Sequence, residues 1–255
     1  MDLNFITRGF TDNLFVNFND ELKKLQKLIY INTKSYLVDH DENLSIEKKI
    51  NLSFKEKPSN ELWSELMRII NKSDELSEVI NSKSIVEVFK VIFKDPKPFK
   101  ISTFRARFPE QKRVFYNWHQ DEGTWFLSKN KDVQNKFPAT LWLSLNGADK
   151  NDSIQLVKYS HKKKLFNHEY VNGQGYFNIK KKFFIDSKDI FTVEAKASEG
   201  IIFHPLTIHR SVPKNNPTLR PRYTIDIRYY DYNIADKFNV DLIFKIRKLI
   251  GKIIK

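Results

Sequence analysis

Residues 222–230 read RYTIDIRYY, a run rich in β-branched and aromatic residues that predicts a β-strand. Similar runs, rich in β-branched and aromatic residues, begin after Pro98 and are separated by polar turns. The clearest are ISTFRARF (101–108), RVFYNWH (113–119), ATLWLSLNG (139–147), SIQLVKY (153–159) and GIIFHPLTIH (200–209). Many short strands at this spacing are typical of a β-sandwich or barrel.

The first third of the chain has a helical pattern instead. Apolar residues recur at three- and four-residue intervals from about Thr11 to Lys34, which predicts a helix capped by Thr11 or Asp12, and the same pattern over 59–93 predicts one or two more. Two prolines, Pro96 and Pro98, mark the boundary. Helices followed by strands favour an α+β fold in which the early helices pack on one sheet.

We therefore divide the chain into a helical elaboration (1–95), a β-rich core (96–236) and a basic amphipathic helix (237–255), all within one compact domain. The last segment alternates apolar and basic residues, which suits either an anionic membrane surface or docking on the protein's own domain or on a second subunit. Docking is the interpretation we favour.

The composition limits the chemistry that the chain can perform. Its 255 residues contain no Cys, which excludes disulfides, thiolate nucleophiles, zinc–thiolate sites and iron–sulfur clusters, and leaves His and carboxylates as metal ligands. No stretch approaches the roughly 20 apolar residues of a membrane span, and the N-terminus lacks a signal-peptide pattern. A soluble, cytoplasmic protein is expected.

The chain is basic, with 44 Lys and Arg against 31 Asp and Glu, a net charge of +13. Such a balance suits nucleic acid, anionic lipid or an anionic substrate. The lysines are mixed with acids throughout, as on solvated surfaces, and no nucleic-acid-binding module is recognisable. We therefore expect a small-molecule substrate, with the charge pointing weakly to an anionic one, and no nucleic-acid partner; the sequence does not predict the oligomeric state.

Three residues are the candidate metal ligands. His119 and Asp121 are separated by one residue at the end of a predicted strand, so their side chains point to one face while Gln120 points away. His209 follows a later β-type run, 90 positions after His119. Two His and one carboxylate on one face of an iron leave the opposite positions open for a co-substrate and dioxygen.

A co-substrate with a distal carboxylate also needs a cationic partner, and a guanidinium binds a carboxylate through paired hydrogen bonds. Arg220 and Arg222 both stand near the start of the 222–230 run. Arg222 is favoured because a strand holds such a contact more rigidly than a loop does.

Three segments together resemble the phytanoyl-CoA dioxygenase family of 2-oxoglutarate oxygenases, in the same order and at similar separations. They are WHQDEGTW (118–125), TLWLSLNGADKNDSIQLVKYSHKK (140–163) and FHPLTIHRSVPKNNPTLRPRYTIDIRYY (203–230). The resemblance covers roughly residues 99–230. It implies a double-stranded β-helix (jelly-roll, cupin-like) core, with Fe(II) as cofactor and 2-oxoglutarate and O2 as co-substrates.

Carried over by position, the resemblance makes His119, Asp121 and His209 the iron ligands and Arg222 the partner of the distal carboxylate of 2-oxoglutarate. It also gives Gln120, Trp142 and Ser211 as positions that line or contact the co-substrate, Ser160-His161-Lys162 as the family's Gly-Ser-His-Lys turn, and His168 as a residue near the substrate. Tyr159 replaces the usual Gly of that turn. The 213–221 loop is two residues longer than the common pattern, which keeps Arg220 open as an alternative to Arg222.

The expected reaction is hydroxylation of a substrate C–H bond, coupled to conversion of 2-oxoglutarate into succinate and CO2. Asp121 favours oxygen insertion, because halogenating relatives carry a small residue at this position. Arg105 and Arg107, on the strand entering the site, either meet an anionic substrate or pair with acids. His204 is interpreted as a turn residue and His161 as a structural one.

Two other functions stay open at this point. One is a cupin-like metal- or ligand-binding protein without oxygenase activity, which would have no use for Arg222. The other is a basic nucleic-acid or membrane-surface protein, which salt-sensitive binding to DNA or vesicles would reveal.

Overall fold

The computed structural model describes residues 1–38, 42–56, 58–109, 116–127, 138–171, 176–180, 185–213 and 220–231. The helices in these ranges are α1 (Leu3–Arg8), α2 (Glu21–Thr33), α3 (Ile46–Lys49), α4 (Asn60–Ile70), α5 (Asp74–Ile80), α6 (Lys83–Phe89) and α7 (Asp121–Leu127). The strands are β1 (Leu14–Phe15), β2 (Lys97–Pro98), β3 (Thr103–Arg107), β4 (Ala139–Ser144), β5 (Ile154–Val157), β6 (His168–Val171), β7 (Tyr176–Ile179), β8 (Ile190–Thr192), β9 (Glu199–Phe203), β10 (His209–Ser211) and β11 (Arg222–Tyr230).

Serine hydroxyls start three of the helices in the first third of the chain. Ser59, Ser73 and Ser82 each accept a hydrogen bond from the backbone N–H three residues later, at 3.0, 3.1 and 3.3 Å. These caps satisfy N–H groups that the first turn of a helix leaves without a partner. The helical pattern over 59–93 is therefore divided among α4, α5 and α6, where one or two helices were predicted.

The helix predicted from Thr11 begins later than its pattern indicates. Leu14 pairs with Gly200 as β1 adds to β9. Just before it, the N–H of Thr11 donates to the carbonyl of Ile202, and the Thr11 hydroxyl accepts from the Ile202 N–H. The edge of β9 supplies these backbone partners, so the chain stays extended and α2 starts only at Glu21. The predicted helix start at Thr11 or Asp12 is wrong.

Two antiparallel sheets face each other in the β-rich part of the chain. The larger has the strand order β1-β9-β4-β11-β2, with β3 also paired to β11, and the smaller has the order β10-β5-β8. Buried apolar side chains from both, including Trp142, Phe203 and Leu156, form one core between them. This is the double-stranded β-helix predicted from the sequence, in an α+β chain.

Strand β11 separates two environments across the larger sheet, because alternate residues of a strand point to opposite faces. Its apolar face packs in the main core with the helices, through Tyr223, Ile225, Ile227 and Tyr229. Its other face lines the cavity between the sheets, through Arg222, Thr224, Asp226 and Arg228. The fold thus places a polar stripe inside the sandwich.

No helix within the described ranges combines the length and the apolar character needed to cross a membrane. The predicted C-terminal helix (237–255) lies outside the described residues. The chain changes from helices to strands between Phe89 and Lys97, while β1 joins the sheet from the N-terminal segment. The division into three segments stays a prediction.

Candidate metal centre

A cavity of about 250 Å³ lies between the two sheets, and three potential metal ligands meet in its wall. Oδ1 of Asp121 is 3.7 Å from Nε2 of His209 and 4.0 Å from Nε2 of His119. The three ligand atoms all lie within 4.8 Å of one another. A single ion between them can contact all three.

Backbone pairing brings the two imidazoles together. His119 and His209 face each other across an antiparallel bridge, exchanging N–H···O bonds of 2.9 and 3.0 Å, and their ring centroids are 4.0 Å apart. Directly opposed residues of such a pair project their side chains to the same face. The prediction that one strand carries both His119 and Asp121 is wrong. Asp121 is the first residue of α7, and the turn into this helix aims its carboxylate at the imidazoles.

Backbone carbonyls orient both imidazoles. Nδ1 of His119 lies 2.7 Å from the carbonyl oxygen of Asn117, and Nδ1 of His209 lies 2.9 Å from that of Thr207. A carbonyl only accepts, so each Nδ1 carries the hydrogen and each Nε2 keeps its lone pair for a metal. Burial, followed by the neighbouring His209, lowers the pKa of His119 to about 3, which keeps its ring neutral.

The two oxygens of Asp121 have different surroundings. Oδ1 faces the imidazoles, whereas Oδ2 accepts a 2.6 Å hydrogen bond from the Thr140 hydroxyl and lies 3.4 Å from a terminal nitrogen of Arg228. Burial alone would raise the pKa of this carboxyl, but the Arg228 guanidinium and the two imidazoles together bring the pKa below its usual range. The ligand set is one carboxylate and two imidazoles.

This donor set suits non-haem ferrous iron. Two His and one carboxylate on one side of an iron leave its other positions for exchangeable ligands. The sequence indicated all three residues through their types and spacing.

A buried guanidinium, that of Arg222, lies in the same cavity. Its side chain is 4% exposed and its central carbon is 5.6 Å from the centre of the Trp142 ring. Nε and one terminal nitrogen have no hydrogen-bond partner among the described residues. Burial, and then the nearby Arg107, lower the pKa of Arg222 to about 10, so it stays charged at neutral pH.

Arg220 is placed differently. One terminal nitrogen donates to the side-chain oxygen of Asn51 and to the backbone carbonyl of Asn146, at 2.9 and 2.8 Å, and the other is 3.7 Å from Asp152. It does not line the cavity. Of the two arginines, the structure brings only Arg222 beside the metal ligands.

Two other predicted co-substrate positions also line this cavity. Trp142 projects from β4, and Ser211 stands two residues after His209 on β10, with its hydroxyl accepting from the N–H of Tyr116 at 3.3 Å. Thr224, which the sequence reasoning did not single out, adds a buried hydroxyl without a hydrogen-bond partner in the described part of the chain.

Gln120 and His168 are not brought into the cavity. The Gln120 amide donates to the carbonyl of Leu206 at 2.9 Å and accepts from the N–H of Phe166 at 2.9 Å. His168 accepts from the Gln120 N–H through Nε2, at 3.1 Å. Its ring packs on Gly123 so closely that a Cβ there would be 2.2 Å from it. Both residues contact the turn that carries His119 and Asp121, and neither lines the cavity.

Arg105 and Arg107 have different surroundings on β3. Arg105 lines the cavity, where its Nε donates to Asp226 at 3.2 Å and a terminal nitrogen donates to the hydroxyl of Tyr116 at 2.7 Å. Arg107 is buried outside the cavity, and its terminal nitrogens donate to two backbone carbonyls. Of the pair, only Arg105 has a side chain in the cavity wall.

The Ser160-His161-Lys162 turn is structural in this chain. The Ser160 hydroxyl donates to the carbonyl of Val157 and accepts from the N–H of Ile208. Tyr159 has a φ of +64°, which explains why Gly is usual in the resembled turn. His161 contacts the carbonyl of Ile6, and Nδ1 of His204 accepts from the N–H of Leu206 within its own turn.

The comparisons with known proteins agree with this geometry. A family model described as phytanoyl-CoA dioxygenase (PhyH) matches residues 12–222. No curated protein matches the sequence.

Several solved structures share the fold. The non-heme monooxygenase ThoJ is 16% identical with a TM-score of 0.57, covering 89% of this chain and 75% of its own. The epimerase SnoN from nogalamycin biosynthesis, in complex with Fe3+, alpha ketoglutarate and nogalamycin RO, is 13% identical with a TM-score of 0.55, covering 89% and 81%. EvdO2 from Micromonospora carbonacea var. aurantiaca, complexed with 2-oxoglutarate, is 13% identical with a TM-score of 0.51, covering 88% of each chain.

Proposed function

The chain belongs to the phytanoyl-CoA dioxygenase family of Fe(II)- and 2-oxoglutarate-dependent oxygenases, and from this premise we propose that it hydroxylates a C–H bond of a small anionic metabolite. One observation carries the proposal: three ligand atoms converge beside a buried guanidinium that has two nitrogens without partners in the described chain. A protein that only stores or binds a metal has no need for that cation.

In this proposal Nε2 of His119, Oδ1 of Asp121 and Nε2 of His209 hold the ferrous ion. Bound Fe(II) with 2-oxoglutarate supplies the activation of dioxygen that oxidises the substrate, with succinate and CO2 as co-products. The carbonyls of Asn117 and Thr207 hold both imidazoles in the orientation and tautomer that turn Nε2 toward the metal. The protein therefore needs no proton rearrangement to bind the metal.

Arg222 receives the distal carboxylate of 2-oxoglutarate. A carboxylate accepts two parallel hydrogen bonds from adjacent nitrogens of a guanidinium, either Nε with Nη2 or Nη1 with Nη2, and no described residue occupies Nε or Nη1. The Thr224 hydroxyl stands on the same face of β11, and Trp142 and Ser211 complete the walls. Arg220 and Gln120 are left out of this assignment because their polar atoms already bind other parts of the chain.

The charge of the cavity supports an anionic substrate. Among the described lining residues, four arginines (105, 210, 222 and 228) oppose two aspartates (121 and 226). A ferrous ion adds two positive charges and the 2-oxoglutarate dianion removes two, so a net positive charge remains for the substrate to meet. Arg105 is the cation we assign to it, through the terminal nitrogen that does not bind Tyr116. Arg222 and Arg228 have other roles in this account, and Arg210 binds Gln155 and lies over the Trp118 ring.

Hydroxylation is the proposed outcome because Asp121 occupies the third protein ligand position, which a halide would otherwise take. The solved structures of this fold include an epimerase and a carbocyclase. Product analysis by mass spectrometry therefore separates gain of one oxygen atom from isomerisation and from ring closure. A cytoplasmic location stays a prediction.

The test is an anaerobic incubation with Fe(II) and 2-oxoglutarate, followed by oxygen and an assay for succinate. Wild type is expected to form succinate, and Asp121→Ala and Arg222→Ala to form little. Arg220→Ala is the matched control, since it removes a guanidinium outside the cavity. Iron binding without 2-oxoglutarate turnover, in the presence of a panel of anionic and neutral substrates, would favour a cupin-like metal-binding protein instead.

A further inference from the structure

Strand β11 carries a second arginine, Arg228, whose guanidinium contacts one of the candidate metal ligands. Arg228 stands opposite Thr140 in the register of β11 and β4, and both side chains contact Oδ2 of Asp121, at 3.4 and 2.6 Å. The other oxygen, Oδ1, is the one that faces His119 and His209. The two oxygens of the carboxylate thus have separate partners: Oδ1 faces the imidazoles, and Oδ2 contacts Arg228 and Thr140.

The chain fixes Arg228 in this position. One terminal nitrogen donates to the carbonyl of Ile101 at 2.8 Å, and the other, beside Asp121, is 4.0 Å from Asp226. The side chain is 7% exposed. A guanidinium is planar and rigid, so anchoring one nitrogen determines where the other lies. Thr140, fully buried on β4, has little freedom to move either.

We propose that Arg228 is a positioning residue that, together with Thr140, occupies Oδ2 of Asp121 so that the carboxylate binds the metal through Oδ1 alone. This inference rests on the proposed function. Three protein atoms would then hold the ion, and its remaining positions would stay open for 2-oxoglutarate and dioxygen. A carboxylate that swung to bind through both oxygens would take one of those positions.

The experiment compares Arg228→Met and Thr140→Val with wild type under anaerobic conditions. Fe(II) affinity is measured by titration, and the ligand field of the bound metal by the visible absorption of the Co(II)-substituted protein. Partners that orient metal ligands typically change affinity by about 10- to 100-fold when removed, so a loss of that size is expected for Arg228→Met, with an altered Co(II) spectrum. Thr140→Val, which keeps the side-chain shape, is expected to change both in the same direction.

Arg107→Met is the matched control, because it removes another buried arginine, one that binds two backbone carbonyls and does not contact Asp121. Its Fe(II) affinity should stay within about twofold of wild type. If Arg228→Met does not fold, as shown by circular dichroism, Thr140→Val decides the outcome alone. An unchanged affinity and spectrum in the folded variants would overturn the inference, whereas a wild type that binds neither Fe(II) nor 2-oxoglutarate would overturn the proposed function itself.

Discussion

Replacing Arg222 with Met is expected to have opposite effects on co-substrate affinity and on the stability of the metal-free protein. Met fills a similar volume without charge. Two nitrogens of Arg222 lack partners in the described chain, so removing them leaves no protein acceptor unsatisfied. The loss should appear only when 2-oxoglutarate is present.

The magnitudes follow from the contacts and the burial. Two charge-assisted hydrogen bonds at about 1.5–3 kcal/mol each amount to about 3–6 kcal/mol, or roughly 10²- to 10⁴-fold weaker 2-oxoglutarate binding. Burial lowers the pKa of Arg222 from 12.5 to about 10, which corresponds to about 3 kcal/mol for keeping the cation buried. The metal-free variant should regain part of that stability.

The assay combines anaerobic calorimetric titration of 2-oxoglutarate into the Fe(II) protein with thermal unfolding of the metal-free protein. Arg222→Met should bind 2-oxoglutarate far more weakly and unfold at a higher temperature than wild type. Arg220→Met should keep the wild-type affinity for 2-oxoglutarate and unfold at a lower temperature, because it breaks bonds to Asn51 and Asn146 but leaves the cavity intact. Wild-type 2-oxoglutarate affinity in Arg222→Met, or its loss in Arg220→Met, would refute the reasoning.

Two further predictions concern stability. Burial, followed by His161, lowers the pKa of His204 to about 3, so the folded protein resists protonation there and stability is lost as pH falls below the unfolded pKa of about 6.5. Between pH 6.5 and pH 4.5, the free energy of unfolding measured in urea should therefore fall by about 2 kcal/mol less for His204→Asn than for wild type. The same pH dependence in both proteins would contradict this. Tyr159→Gly should raise the free energy of unfolding by about 0.5–1 kcal/mol, because φ is +64° there. Tyr170→Gly, equally exposed but within β6, should lower it, and a change of the same sign in both would count against backbone strain as the cause.

Much of the fold could be predicted because its signals are local. The period-two pattern of residues 222–230 and the turns between short β-type runs indicate a sandwich, and the Ser-capped helices precede it. Strand β1 could not be predicted in this way. Its partner, β9, lies 186 positions further along the chain (200 − 14), and Leu14 and Phe15 fit a helical pattern as well as an extended one.

For the site, too, local sequence patterns identify some residues and not others. His119, Asp121 and His209 are recognisable from residue type and spacing, and Asp121 followed by Glu122 is also a pattern that starts helices, which would have indicated α7. Arg228 was missed, although three steps of two along β11 from Arg222 reach it.

The placement of Gln120 and Arg220 depends on tertiary contacts. The Gln120 amide binds the carbonyl of Leu206, and Arg220 binds that of Asn146, so neither points into the cavity. Both partners are far away in the sequence, and no local pattern identifies them.

The most direct measurement is a crystal structure of the protein grown anaerobically with Fe(II) and 2-oxoglutarate. The account predicts one iron bound by Nε2 of His119, a single oxygen of Asp121 and Nε2 of His209, with the distal carboxylate of 2-oxoglutarate on Arg222. Iron bound elsewhere, or a dicarboxylate that does not contact Arg222, would contradict it.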